Sequence, residues 1–421
     1  MSGERAFVLG GGIVGACCAL SLVRRGFDVT LVEKDRPGYG ATFGNSASIG
    51  LASVPPLGMP GMMRDVPKML LDPMHPLVIR LGFLGRSLPW LMRFRGALAP
   101  RRVEAIAKAR AALLSRAGSE YESLLAEIGR PDLIYANGLM QVYQSREAFQ
   151  KAKGGLDLRR RNGIEVEEKT GAELREMEPA LSDSVVAGAF FPIVQTVVNP
   201  LHLTEAIVDA FRQRGGKLVT ETVRGFQTNE TGVSQIETDK GRHDCDLVVV
   251  SAGAWSRDLV AMLGVPVNLI PERGYHVMIP DAPHKPAISM VSGDHNVSFV
   301  TLNTGLRMTT MAELTSIDAP PDHGRAERIF KAAAGVIRGL EVKPASRWVG
   351  SRPSTPDSLP VIGRSPRHRN VIFAFGHGHL GVTFGAVTGT VVGTLARNET
   401  PNLDISPYRP DRGFDGSHLA A

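Results

Sequence analysis

A chain of 421 residues with 43% hydrophobic and 21% charged side chains has ordinary globular composition. That excludes disorder and coiled coil and leaves length for two or three domains. Lys plus Arg number 48 against 42 Asp plus Glu, a formal +6, an excess modest enough to allow an anionic substrate or membrane surface without calling for nucleic acid. Cys17, Cys18 and Cys245 cannot build a disulfide framework and form no CxxC pair, so a reducing compartment, the cytoplasm, is expected. The chain opens directly into a strand-like run with no signal-peptide layout, in keeping with that expectation. The 46 glycines cluster in short loops, as in backbone that hugs a ligand.

The apolar run Ala6–Leu9 leads at once into Gly10-Gly-Gly12-Ile13-Val14-Gly15, then a helical pattern, then a second apolar run, Asp28–Val32, ending in Glu33. This predicts a βαβ unit with Gly10, Gly12 and Gly15 in dinucleotide spacing. The first glycine serves the tight turn, the second the approach of a pyrophosphate, and the third close helix–strand packing. Glu33 stands where a carboxylate accepts ribose hydroxyls and repels a 2′-phosphate. NADP is therefore disfavoured, while NAD and FAD stay open on these residues alone.

A small, polar, glycine-flanked loop follows, Gly40 to Gly50. Met59 to Phe94 is apolar and methionine-rich, with interspersed Arg64, Lys68, Arg80, Arg86 and Arg93, and Arg95 just beyond. Residues 59–95 read first as core filling or a lid and second as a segment resting on an anionic bilayer. Arg102 to Ile128 has helical spacing. Asp246–Trp255 reads as a buried strand ending in a small-residue turn. Tyr275–Ile279, Val297–Leu302 and Arg307–Glu313 read as strands of a sheet roofing a ligand. Val371–Phe375 is a strand running into Gly-His-Gly-His-Leu-Gly381 and an uncharged helix from Val382. Gly385, Gly389 and Gly393 on that helix mimic a transmembrane packing face, but the polar start leaves too few residues to span a bilayer. A buried helix is expected. His377 and His379 lack ligating neighbours, so no metal site is expected. His379 is expected to line a pocket and His377 to turn back and hold the loop.

Taken in order, the Gly10–Gly15 unit, the Thr42-Phe-Gly-Asn45-Ser46-Ala47 loop, Arg347–Gly363 and Asn370–Gly381 resemble the D-amino-acid oxidase (DAO) superfamily of FAD enzymes. They are most similar to bacterial D-amino-acid dehydrogenase and D-hydroxyproline dehydrogenase members. The loop is similar to the family's Ser-x-x-Asn-Ala-Gly, with Thr42 for serine and Ala47 for glycine. Asn199 stands for a usual aspartate.

The resemblance implies an α/β fold, a Rossmann-type FAD-binding domain interleaved with an α+β substrate domain in the glutathione-reductase/p-hydroxybenzoate-hydroxylase manner. The expected division is 1–54, 180–262 and 344–405 for FAD, 55–179 and 263–343 for substrate, and 406–421 as a C-terminal tail. It implies FAD contacts at Gly10, Gly12, Ile13, Val14, Gly15, Glu33, Lys34, Thr42, Asn45, Ser46, Ser48, Val223, Ala252, Gly253, Trp255, Gly350, Gly378, His379, Gly381, Val382 and Thr383. It also implies that Arg352 clamps a substrate carboxylate, with Tyr275 and His379 beside it. A guanidinium suits that task because its planar fork matches a carboxylate and keeps its charge when desolvated.

The activity so implied is oxidation of the C–N bond of a small amino or imino acid, such as a D-amino acid, proline or hydroxyproline, by hydride transfer from Cα to flavin N5. No acid–base dyad is evident, and no catalytic residue is assigned. Electrons would pass to a quinone or another acceptor. The alternatives are a sarcosine or glycine oxidase using oxygen and a flavin-binding subunit dependent on a partner.

Overall fold

The computed structural model describes residues 3–419, so the outermost residues of segments 1–54 and 406–421 lie outside the described residues. The apolar run near the N-terminus is the strand Arg5–Leu9, central in a six-stranded sheet. The strands lie in the order Lys217–Thr220, Asp28–Glu33, Arg5–Leu9, Leu247–Val250, Val371–Phe375 and Val361–Arg364, of which only the last pairs antiparallel. Leu247–Val250 and Val371–Phe375 are buried throughout, as expected of parallel strands covered on both faces.

The helix Ile13–Arg24 covers one face of this sheet, and Gly381–Ala396 lies against it. Gly385, Gly389 and Gly393 are the contact stripe. A Cβ on Gly389 would stand 2.7 Å from the Cys17 carbonyl oxygen, and one on Gly393 2.3 Å from the Ser21 hydroxyl. Gly378–Ala396 is long and apolar enough to cross a membrane by length and composition, yet 78% of it is buried inside the protein. The small residues receive a neighbouring helix, which is the buried-helix expectation.

The second large sheet is mixed. Its strands run Ser346–Ser354, Ile270–Ile279, Gly305–Leu314, Val297–Leu302, Ser289–Ser292, Leu139–Tyr143, Ala187–Phe191 and Glu167–Thr170, and Leu77–Ile79 pairs parallel with Ala312–Leu314. Ala187–Phe191 and Ser346–Ser354 fall in segments expected to bind FAD but pair in this sheet. The 28-residue helix Pro100–Glu127 is fixed by the buried Arg110, which donates to the Ser53 and Ser358 carbonyls at 2.7–3.1 Å.

The segment after residue 405 is integral to the fold. Tyr408 is fully buried. The Arg412 guanidinium donates to both oxygens of Asp357, at 2.7 and 3.2 Å, with both side chains wholly buried. The C-terminal ends of the parallel strands at Leu9, Glu33 and Phe375 open on a cavity of about 1300 Å³ that the second sheet closes from the other side. Ligands of open α/β sheets bind at that end.

Candidate active site

At the nucleotide end, the geometry follows from three glycines. Gly10 has φ +107°, and its amide donates to the Val32 carbonyl at 2.8 Å, tying the turn to the neighbouring strand. Gly15 admits no side chain, because a Cβ there would be 1.8 Å from the Gly10 carbonyl oxygen. Gly12, the residue before the helix, has no side-chain cap, so most first-turn N–H groups are left for an outside acceptor. The Ile13 amide is the exception and donates to the Thr42 hydroxyl at 3.2 Å. Glu33, at the tip of its strand, accepts from the Gly11 amide at 2.6 Å and the Asp35 amide at 3.2 Å. A carboxylate has capacity for two further donors. Lys34 sits 3.5 Å over the Trp255 ring, and Val223, Ala252 and Gly253 complete this end of the cavity.

The loop 42–48 runs along the middle. Ala47 stands at φ 53° and is fully buried, a left-handed conformation that glycine adopts without strain. Arg307, a buried arginine on the strand Gly305–Leu314, donates to the Phe43 and Asn45 carbonyls, both at 2.8 Å. Burial lowers its pKa to about 10, which leaves it cationic at neutral pH. The Trp348 ring packs on Gly44 and Gly350, where Cβ atoms would fall 1.8 and 2.1 Å from it, and stacks on His276 at 5.1 Å. Asn45, Ser46 and Ser48 line the cavity. Among the buried polar atoms without a partner in the described residues, Asn45 Oδ1 and Thr309 Oγ1 belong to residues that line the cavity. Buried polar atoms of that kind want a partner, and a polar ligand lying along the loop supplies one.

At the far end, Gly378, His379, Gly381 and Val382 line the cavity. The helix that follows has no side-chain cap. His377 shares a hydrogen bond with the Thr388 hydroxyl at 3.0 Å and so holds the turn against its own helix. His379 opens to the cavity yet lies deep within the protein. Burial, then the charges of Arg110 and Arg352, push its pKa down to about 3, and the imidazole is neutral at physiological pH.

Arg352 projects into the cavity from the strand Ser346–Ser354. Its Nη1 donates to Glu272 Oε1 at 2.9 Å and to the Met311 carbonyl at 2.8 Å, while Nε and Nη2 have no acceptor among the described residues. The guanidinium lies flat over Gly274, where a Cβ would meet Nη2 at 2.0 Å. Met311 presents its carbonyl from φ 74°, inside a β-bulge opposite Gly274, the kind of local strain that collects at functional sites. Glu272 is further fixed by the Ser354 hydroxyl at 2.6 Å. One side of the guanidinium is thus anchored, and the Nε–Nη2 edge of this cavity-lining residue is without an acceptor among the described residues.

Three expected site residues lie elsewhere. Tyr275 is buried, and its hydroxyl donates to Glu313 Oε2 at 2.6 Å and accepts from the Asp322 amide at 2.9 Å. Glu313 also takes Arg273 and Arg80, so Tyr275 belongs to a buried polar cluster and not to the cavity wall. Thr383 uses its hydroxyl to join the Gly50 amide and Ser48 carbonyl and supports the loop from behind. Gly15 packs helix on strand without lining the cavity. Glu272, Met311 and Arg307 went unremarked as site residues. Two charges in the apolar strand Ile270–Ile279 were the available signal, since a buried charge demands a partner. Among the described residues no cluster of His, Cys, Asp and Glu could hold a metal ion.

Comparison with known proteins bears on the family and the fold. Residues 5–395 match the DAO family, described as FAD dependent oxidoreductase. A D-amino-acid oxidase of Bradyrhizobium diazoefficiens is 33% identical over 97% of this chain and 99% of its own length. A D-amino acid dehydrogenase of Helicobacter pylori is 26% identical over 96% and 97%. Among solved structures, glycine oxidase from Geobacillus kaustophilus superposes with a TM-score of 0.77 at 22% identity, covering 97% of this chain and 99% of that one.

Proposed function

We propose, from the premise that this chain belongs to the DAO family of FAD-dependent oxidoreductases, that it oxidises the C–N bond of a small amino or imino acid held by its carboxylate on Arg352. The observation that carries the reading is the half-anchored guanidinium. Glu272 and the Met311 carbonyl fix its orientation, and its free Nε–Nη2 edge matches a carboxylate bidentately. In the reaction the substrate loses two electrons and two protons, the C–N bond becomes C=N, and a primary imine then hydrolyses in water. FAD, when bound, supplies the acceptor for those electrons.

The chain's own residues do the positioning. The Gly10–Gly15 turn and helix N-terminus would hold the pyrophosphate, Glu33 the ribose, Val223 the adenine edge, and loop 42–48 with Gly378–Val382 the flavin. Arg352 orients the substrate. Neutral His379 offers a hydrogen-bonding wall without a second positive charge. Glu33→Ala is expected to weaken FAD binding about 10- to 100-fold, the worth of roughly 1.5–3 kcal/mol for a charge-assisted contact. Flavin loss on extensive dialysis measures it, and full retention counts against the ribose role.

Transfer of the electrons to a quinone is supported by the outer surface of 59–95. Leu71 and Leu81 are 85% and 88% exposed there, with Leu88 and Met92 beside Arg64, Lys68 and Arg86, a pattern suited to an anionic bilayer. The inner face of the same segment lines the cavity, so lid and docking surface are two faces of one element. An oxidase using oxygen is the second reading, favoured by the name of the relative that is 33% identical. Salt-sensitive pelleting with anionic vesicles and reduction of a quinone held in them are the expected results. Rapid peroxide formation without added acceptor, and no pelleting, would shift the assignment to the oxidase.

A further inference from the structure

Beyond Arg352 the cavity changes character. The Met62–Leu71 helix has no buried residue and turns Met62, Val66 and Met69, spaced i, i+4, i+7, toward the cavity, all three half-buried. That spacing places them on one face. The short strand Leu77–Ile79 follows and pairs with Ala312–Leu314, next to the Met311 carbonyl that anchors Arg352. Trp90 spends its indole N–H on the Ser354 carbonyl at 2.9 Å, two residues from Arg352 along the strand, and its buried ring stacks on Phe94 at 5.0 Å as apolar backing to the cavity.

The face that Met62, Val66 and Met69 form carries no charge. Glu272 is held by Arg352 and Ser354. Arg159 donates to the Ala52 and Gly155 carbonyls. His75 takes the Leu77 amide on Nδ1. The other acids and cationic side chains lining the cavity, Arg352 aside, lie within three residues of Glu33, Val223 or Trp255, at the nucleotide end.

We infer that this apolar chamber receives the side chain of the substrate, and that the enzyme is specific for amino acids with large, uncharged, apolar side chains, of the leucine, methionine and phenylalanine kind, over alanine and over acidic or basic ones. The inference rests on the reading of Arg352 as the carboxylate anchor. A carboxylate held on the Nε–Nη2 edge leaves its α-carbon in the same cavity that Met62, Val66 and Met69 line, and an apolar side chain gains on entering an apolar space, where a charged one loses its water.

The test uses the FAD-loaded chain and a series of one configuration: alanine, leucine, phenylalanine, aspartate and lysine. Leucine or phenylalanine is expected to exceed alanine at least tenfold in kcat/KM, because each buried methylene is worth about fourfold. Aspartate and lysine are expected at least a hundredfold below leucine. Perturbation of the flavin spectrum gives binding without turnover, and 3-phenylpropanoate is expected to bind at least tenfold tighter than propanoate. Met69→Lys, on a helix face that is only half-buried, is expected to narrow the leucine-to-aspartate ratio at least tenfold.

Aspartate or lysine turned over as well as leucine would overturn the inference. So would an unchanged ratio in a Met69→Lys protein of normal flavin content. If the chamber serves a quinone instead, a quinone analogue will compete with the amino acid while 3-phenylpropanoate gains nothing over propanoate, which also overturns it. Absence of any carboxylate binding would sink the Arg352 anchor itself, an outcome distinct from turnover without side-chain preference.

Discussion

Arg352→Met is expected to raise KM for the amino-acid substrate at least a hundredfold while the protein keeps its flavin. Two charge-assisted hydrogen bonds from Nε and Nη2 are worth about 1.5–3 kcal/mol each, and their loss alone accounts for that factor. The variant also leaves the Glu272 carboxylate at the cavity wall without its cation, held only by Ser354, where it repels a substrate carboxylate. Arg352→Lys keeps the charge but not the fork, so it is expected to recover part of the loss. Steady-state kinetics with a flavin-to-protein ratio for each variant decide it, and an unchanged KM in the methionine variant would remove the clamp.

Gly15→Ala should yield protein that has lost FAD. The added Cβ would stand 1.8 Å from the Gly10 carbonyl oxygen and 2.8 Å from the Ser251 hydroxyl. The first of these is backbone and has nowhere to retreat. Gly10 itself is wedged, since a Cβ on it would fall 2.6 Å from the Ala252 Cα. Relief therefore means moving the helix off its strand and swinging the first-turn N–H groups away from the pyrophosphate. A rise of a hundredfold or more in the FAD dissociation constant is expected, with a lowered Tm. Fluorescence titration of the apoprotein with FAD measures it, and near-normal affinity would contradict the assignment of this turn.

The nucleotide end was legible because its parts are contiguous. A strand, three glycines, a helix and a terminal acid all fall between Arg5 and Glu33, and local chemistry dictates their geometry. The substrate end is built from distant segments. Arg352 meets Glu272 across 80 residues and Met311 across 41, and no spacing rule connects them.

Tyr275 shows the physical limit. Side chains alternate across a strand, so its placement depends on register, and the irregularity between Arg273 and Tyr275 breaks that alternation against the neighbouring strand. A sequence displays neither the bulge nor the buried Glu313 waiting for the hydroxyl. Ala47 is the reverse case. It stands where the family has glycine, and its left-handed φ of 53° is a conformation that glycine adopts without strain. The segment 59–95 stayed ambiguous in sequence because methionine and arginine suit a lid and a membrane surface alike, and its two faces are in fact different.

The most direct measurement is the visible absorption spectrum of the purified chain, recorded anaerobically before and after adding an amino acid. Close to one FAD per chain is expected. It should bleach with the amino acid and stay oxidised with the matching amine that lacks a carboxylate. Colourless protein that takes up no FAD when supplied, or bleaching as fast by the amine as by the amino acid, would contradict a flavin enzyme that grips its substrate by the acid end.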